Sequence, residues 1–136
     1  MSIPSHLQGD ALLVSLGAIP GAWLRFRLVE HLAPMLPRRH WATLGVNLTA
    51  CFGLGLLVVL VGPPTDRHAQ SMLLLLATGF CGSLSTFSTW MAELWQELQS
   101  GRWGEALSLA LTSLSLGVLT VMLGSQIGRI AFGLHP

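Results

Sequence analysis

Gly79-Phe80-Cys81-Gly82-Ser83-Leu84-Ser85-Thr86-Phe87-Ser88-Thr89-Trp90 decides how the rest of this chain is read. The apolar run from Ser71 to Thr78 enters it as the first half of a membrane helix. Two glycines and five hydroxyl residues then arrive within twelve positions. Glycine costs about 1 kcal/mol in a helix interior, and Ser and Thr side chains compete there for backbone hydrogen bonds. A helix interrupted at bilayer depth leaves polar backbone unpaired, which survives only inside protein or along a polar cavity. The stretch predicts a third helix broken near the midplane and built to hold something polar, as ion pathways and transporter sites are. Gly82 and Ser85 are expected to bracket backbone that cannot stay helical there, with glycine permitting a geometry that a β-branched residue resists.

Composition agrees with a membrane setting. The 136 residues are 51% hydrophobic and 10% charged, against about 25% charged in a soluble domain, and the mean hydropathy is +0.63. Seven basic residues, all Arg, nearly balance six acids. A net charge of +1 gives no basis for nucleic-acid binding or a polybasic membrane patch. Met1 to Asp10 holds no basic residue ahead of an apolar core, so the first apolar segment is expected to be retained. Cys51 and Cys81 fall inside apolar spans and read as small packing residues.

Four spans of about 20 residues fit a bilayer: roughly 11–32, 41–62, 71–98 and 106–132. Together they predict an all-α membrane protein with one four-helix transmembrane domain over residues 1–136. Proline, glycine and arginine mark the loops, and Trp41 and Trp103 stand at span starts, where interfacial indoles belong. Arg38, Arg39 and Arg102 flank one side and Arg67 and Arg129 the other. Three against two is a weak positive-inside signal, and the depth of Arg25 and Arg27 bears on it. A chain that inserts both ways up permits an antiparallel two-fold dimer.

The spans carry few polar groups. Gly17 and Gly21 form a small-xxx-small pair suited to close helix approach. Arg25 lies well inside the first span; snorkelling to the interface and a functional role are both open. Thr43 and Asn47 share a helix face, and for Asn47 an interhelical hydrogen bond is the simpler reading. Glu93 lies one turn past the hydroxyl cluster, whereas Glu97 reads as interfacial. In the fourth span Ser113, Gly117, Thr120 and Gly124 form a seam. No His lies clearly within a span, so neither a metal-ligand cluster nor a Ser–His nucleophile is supported.

Taken in order, these segments resemble the Fluc (CrcB-like) family of fluoride channels. Gly17-Ala18-x-x-Gly21-Ala22-x-x-Arg25-Phe26 is similar to the family's first-helix signature, and Thr43-Leu44-x-Val46-Asn47 to its second. Gly79 to Trp90, followed by Glu93, resembles the third; Ser113-x-x-x-Gly117 and Val121 to Gly124 are similar to the fourth. The resemblance implies an antiparallel, dual-topology homodimer in the cell membrane that exports fluoride and is not an enzyme. It implies a structural sodium ion at the dimer interface, held by the backbone carbonyls of Gly82 and Ser85, two from each subunit. It also implies that Asn47 is the pore amide, that Phe87 and Trp90 form the aromatic box, and that Ser88 and Thr89 supply hydroxyls beside it. Ser113 would continue the track, with Arg25 near a vestibule and Thr43 and Glu93 beside the path.

The chain departs from that pattern in places. Trp90 stands where the family usually has a second Phe, Ser85 replaces a Thr, Ser83 a Gly, and Ala50-Cys51 a Gly-Ser pair. The alternative is a small, dual-topology, proton-coupled multidrug exporter. It needs a carboxylate within the first span, where only Asp10 and Glu30 stand, one at each end.

Overall fold

The computed structural model describes residues 5–133. Helix α1 (Ser5–Leu32) ends in a 3-10 turn (Ala33–Met35), where Pro34 and Pro37 stop the chain from continuing as helix. Helix α2 (Arg39–Val61) returns antiparallel and closes at Gly62, whose φ of 73° favours glycine. The third span opens with α3 (Arg67–Met72), capped by Asp66, whose Oδ1 accepts the Ala69 N–H at 3.1 Å. It runs on through a π-helical segment (Leu73–Cys81) into a short α4 (Gly82–Leu84). Ser85 (φ −74°, ψ 148°) and Thr86 (φ −140°, ψ 121°) are extended, and α5 (Phe87–Gln99) follows. Helix α6 (Trp103–Phe132) completes the chain.

Among the described residues, four stretches are long and apolar enough to cross a membrane: Leu7–Met35, Arg39–Val61, Arg67–Gln99 and Trp103–Phe132. At 1.5 Å per residue, the 23 residues of α2 already reach about the 30 Å of a hydrocarbon core. The outward faces carry exposed Ile19, Leu114 and Ile130. Such rows suit lipid rather than water.

Helix association in lipid depends on close backbone contact rather than on hydrophobic burial. Glycines supply it at two seams. A Cβ on Gly17 would collide with the Leu75 carbonyl, and one on Gly21 with the Phe80 carbonyl and the Ser83 hydroxyl. Leu75 and Phe80 are five residues apart, which is about one turn of a π-helix. The π segment thus turns successive carbonyls toward α1 in step with a Gly-xxx-Gly pair. From the other side, Gly79 packs on the Val14 carbonyl. Between α2 and α6 the same device recurs, with Gly55 against the Val121 carbonyl and Gly124 against that of Phe52. Val29, Ala42, Val46, Ala50 and Leu84 form the buried cluster where α1, α2 and the end of α4 meet.

Candidate functional site

The site grows from the two extended residues. In a continuous helix the Thr86 N–H would bond the Gly82 carbonyl. Here it donates to Asn47 Oδ1 at 3.0 Å, while Asn47 Nδ2 donates to the Thr86 carbonyl at 3.4 Å. Thr86 also caps α5: its Oγ1 accepts the Thr89 N–H at 3.3 Å and lies 3.2 Å from the hydroxyls of Ser88 and Thr89. Buried Thr86 is therefore the hub of the polar cluster. The family-like motif contains Thr86 but implies no role for it. Its signal was present, since a Thr directly before a helical run is a favoured N-cap.

Around this hub lies a cleft of about 240 Å³ lined by Asn47, Ser85, Thr86, Phe87, Trp90 and Ser113, with Leu44, Leu48, Cys51, Leu114 and Gly117 as its apolar wall. Phe87 and Trp90 stack obliquely, with centroids 5.5 Å apart. Trp90 Nε1 donates to Ser113 Oγ at 3.0 Å, joining α5 to α6. Asn47 spends one N–H and its carbonyl on Thr86, which leaves one amide N–H uncommitted among the described residues.

Thr89 turns toward a second cleft of about 160 Å³, lined by Arg25, Phe26, Val29, Glu30, Arg39 and Thr86. Arg25 thus stands beside the hydroxyl cluster, not isolated in the apolar span. One turn from Asn47 along α2, buried Thr43 donates to Glu93 Oε1 at 2.6 Å. The other oxygen, Glu93 Oε2, is buried without a hydrogen-bond partner among the described residues. Glu93 also borders a third cleft, of about 340 Å³, with Arg38, Arg39, His40, Gln96, Glu97 and Arg102.

Two of the positions differ from their sequence reading in character. Gly82 has ordinary helical dihedrals (φ −63°, ψ −35°), so no conformation there demands glycine. The departure from helix falls at Ser85 and Thr86 instead, because Asn47 takes over the Thr86 backbone. A Cβ at Gly82 would meet only the Ala77 carbonyl, at 3.8 Å, and the residue is exposed. Glu97, read as simply interfacial, is 5% exposed. It accepts from Arg102 Nε at 2.5 Å and lies 3.6 Å from both Arg38 and His40. That hydrogen bond raises the Arg102 guanidinium above its usual value.

Residues 12–125 match the family of CrcB-like proteins, described as camphor resistance (CrcB). The chain belongs to that family. It is 50% identical over 116 residues to the Fluoride-specific ion channel FluC 1 of Prochlorococcus marinus (strain MIT 9313), covering 85% of this chain and 88% of the relative. It is 48% identical to the FluC 1 of Synechococcus sp. (strain CC9902), over 88% of this chain and 93% of that protein. The Fluoride-specific ion channel FluC of Synechocystis sp. (strain ATCC 27184 / PCC 6803 / Kazusa) is 39% identical over 93% of this chain and 97% of its own length. Four helices of spanning length in a CrcB-like chain make it a multi-pass protein of the cell membrane.

Within this CrcB-like chain, the two carboxylates near the ends of α1 are both engaged. Asp10 pairs with Arg67 at 2.9 Å and Glu30 with Arg39 at 2.7 Å. Neither stands free inside the first span as an exporter's proton carrier would.

Proposed function

We propose that this chain forms a fluoride-selective channel, which lets fluoride leave the cell down its electrochemical gradient and so lowers cytoplasmic fluoride. The observation that carries the reading is the cleft in which Asn47, Ser113 and the Thr86 cluster meet the rings of Phe87 and Trp90. The setting is a four-helix membrane protein whose relatives are named fluoride-specific channels. Fluoride is small and strongly hydrated, so a pore that selects it replaces water with good donors in a narrow space. The spare N–H of Asn47 and the hydroxyl protons of Thr89 and Ser113 are such donors, while Ser88, whose proton goes to Thr86 Oγ1, ties the cluster together. An aromatic ring offers a positive edge, and Phe87 and Trp90 border the same space. Arg25 provides positive charge at the next cleft along.

Nothing in this arrangement needs a chemical step, and the protein acts as a passive pore, not an enzyme. Hydrogen fluoride crosses membranes as a neutral acid and dissociates inside. The inside-negative potential then drives the anion out, at about 2.3 kcal/mol per charge per 100 mV.

The assembly we propose is an antiparallel, dual-topology homodimer in which the third helix is broken near the bilayer midplane. Support comes from the extended dihedrals of Ser85 and Thr86 and from Gly82, exposed with open space beside it. A structural sodium ion fits the donor set there. Asn47 takes the Thr86 N–H and the Thr86 hydroxyl takes that of Thr89, so the carbonyls of Gly82 and Ser85 lose their usual helical partners. Two such carbonyls from each of two chains make a neutral oxygen set suited to a hard cation. Bound there, sodium would offset the mutual repulsion of the four dipoles.

Fluoride efflux from liposomes holding the purified protein, with chloride as control, tests the channel. Fluoride release well above that of empty liposomes, without matching chloride release, is the expected result. Equal leakage of both ions, or of neither, rejects it.

A further inference from the structure

Trp90 is the side chain whose presence in the cleft the channel reading leaves least explained. An indole is larger than the phenyl ring it replaces and carries an N–H that is only a donor. That polarity settles the sense of its bond to Ser113. Trp90 Nε1 gives the proton and Ser113 Oγ accepts it, at 3.0 Å. A serine hydroxyl holds one proton and two lone pairs. With one lone pair occupied by the indole, its own O–H remains to be placed. Among the described residues it donates to nothing: Ser15, Ser71 and Ser100 bond back to their own helix, whereas Ser113 has no such bond. Trp90 and Ser113 both border the cleft of about 240 Å³ that Asn47 and Thr86 also line. Phe87, stacked at 5.5 Å between centroids, steadies the indole.

We propose that Trp90 is a positioning residue: its indole N–H holds the Ser113 hydroxyl with its proton free to donate to an anion in the cleft. A hydroxyl free to rotate can turn a lone pair toward a cation or water as readily as its proton toward an anion. One that already accepts an N–H is biased toward donation, and accepting that bond strengthens the proton it offers. The indole N–H is thereby withdrawn from the ion and acts through Ser113, while the ring edge still borders the cleft. The inference rests on the channel reading and assigns its selectivity in part to this pair.

A double-mutant cycle on fluoride and chloride efflux tests it. The variants are Trp90→Phe, Ser113→Ala and the two combined, each compared as the fluoride-to-chloride rate ratio in liposomes. The expected result is that Trp90→Phe lowers the ratio by about tenfold, the scale of one lost hydrogen bond to a charged group. In the Ser113→Ala background the same change should do nothing further. Independent, multiplying losses would overturn the proposal, as would an unchanged ratio in Trp90→Phe. Should Trp90→Phe fail to fold, the benzothiophene analogue of tryptophan at position 90 keeps the ring shape, lacks the N–H, and must give the same pattern. Wild-type protein that moves neither ion, or both equally, would instead reject the channel reading itself. Wild-type selectivity with a multiplying cycle would reject only the role of Trp90.

Discussion

Asn47 and Thr86 exchange two hydrogen bonds, amide Nδ2 to the Thr86 carbonyl at 3.4 Å and the Thr86 N–H to amide Oδ1 at 3.0 Å. A primary amide is the side-chain group that can serve both backbone groups at once. The pairing substitutes for a missing helical bond and, in the same act, aims the remaining amide N–H elsewhere. In the proposed channel, structure and transport would both depend on this one side chain, and variants at position 47 separate them.

Asn47→Asp keeps an acceptor for the Thr86 N–H but turns an oxygen toward the Thr86 carbonyl and adds a negative charge to the cleft. Two like charges about 4 Å apart repel by roughly 4 kcal/mol at an effective dielectric constant near 20. Fluoride efflux from Asn47→Asp liposomes is expected to fall by at least about a hundredfold (each 1.4 kcal/mol being tenfold), with the helical content retained. Wild-type flux in this variant would remove Asn47 from the ion path.

Thr43 gives its hydroxyl proton to Glu93 Oε1 at 2.6 Å in a buried setting, and Glu93 Oε2 has no hydrogen-bond partner among the described residues. Thr43→Val preserves shape and strips the donor. The expected loss of stability is about 1–3 kcal/mol, the cost of leaving a buried polar group unsatisfied. Thr43→Ser, which keeps the hydroxyl, should recover most of it. Thermal unfolding in detergent compares the three; identical midpoints for Val and wild type would show that the bond contributes nothing.

Much of this was legible beforehand, for identifiable reasons. Spanning helices announce themselves by length and apolar content, and the hydroxyl-rich stretch stood out because Ser and Thr are costly in such a helix. Convergence was harder to see. That the helix opens at Thr86 is half-announced by its N-cap position, but the partner that takes its backbone N–H is Asn47, 39 positions away, which no local pattern encodes. The π segment likewise answers to Gly17 and Gly21 on another helix. Glu97 reads as interfacial, and the sequence does not tell that Arg38, His40 and Arg102 fold over it.

Gly17 and Gly82 are both glycines near a polar seam, yet they should fail differently. A Cβ on Gly17 collides with the Leu75 backbone, whereas Gly82 has open space within its own chain. Gly17→Val is expected to disrupt packing of α1 on the third span and to yield unfolded or aggregated protein. Gly82→Val should leave the single chain folded and weaken the proposed dimer, whose second copy would lie against that face. Size-exclusion chromatography and crosslinking in mild detergent report this. A Gly82→Val protein that dimerises and conducts like wild type would remove Gly82 from the proposed interface and sodium site.

The arginines set the last expectation. Arg25 borders the cleft that holds Glu30 and Arg39, and Arg27 lies with Glu30 and His31. Both therefore belong to the membrane end that also carries Arg38 and Arg102. Counting them, five arginines stand at that end and Arg67 and Arg129 at the other. Positive residues near span ends hold that side in the cytoplasm, so the bias is stronger than the loops alone imply. An antiparallel homodimer uses equal numbers of both orientations, and the minority orientation then limits how many pores form. Cysteine labelling at Met35→Cys and Thr65→Cys, each in a background lacking Cys51 and Cys81, is expected to find both loops on both sides. The Met35 loop should be cytoplasmic in the larger share of chains. Arg27→Gln removes one charge from an exposed position whose guanidinium lies over the Trp23 ring, at 5.9 Å. It should move the two populations toward equality and raise fluoride flux per inserted chain. One fixed orientation together with full flux from the chain alone would exclude the antiparallel self-paired dimer while leaving the channel reading intact.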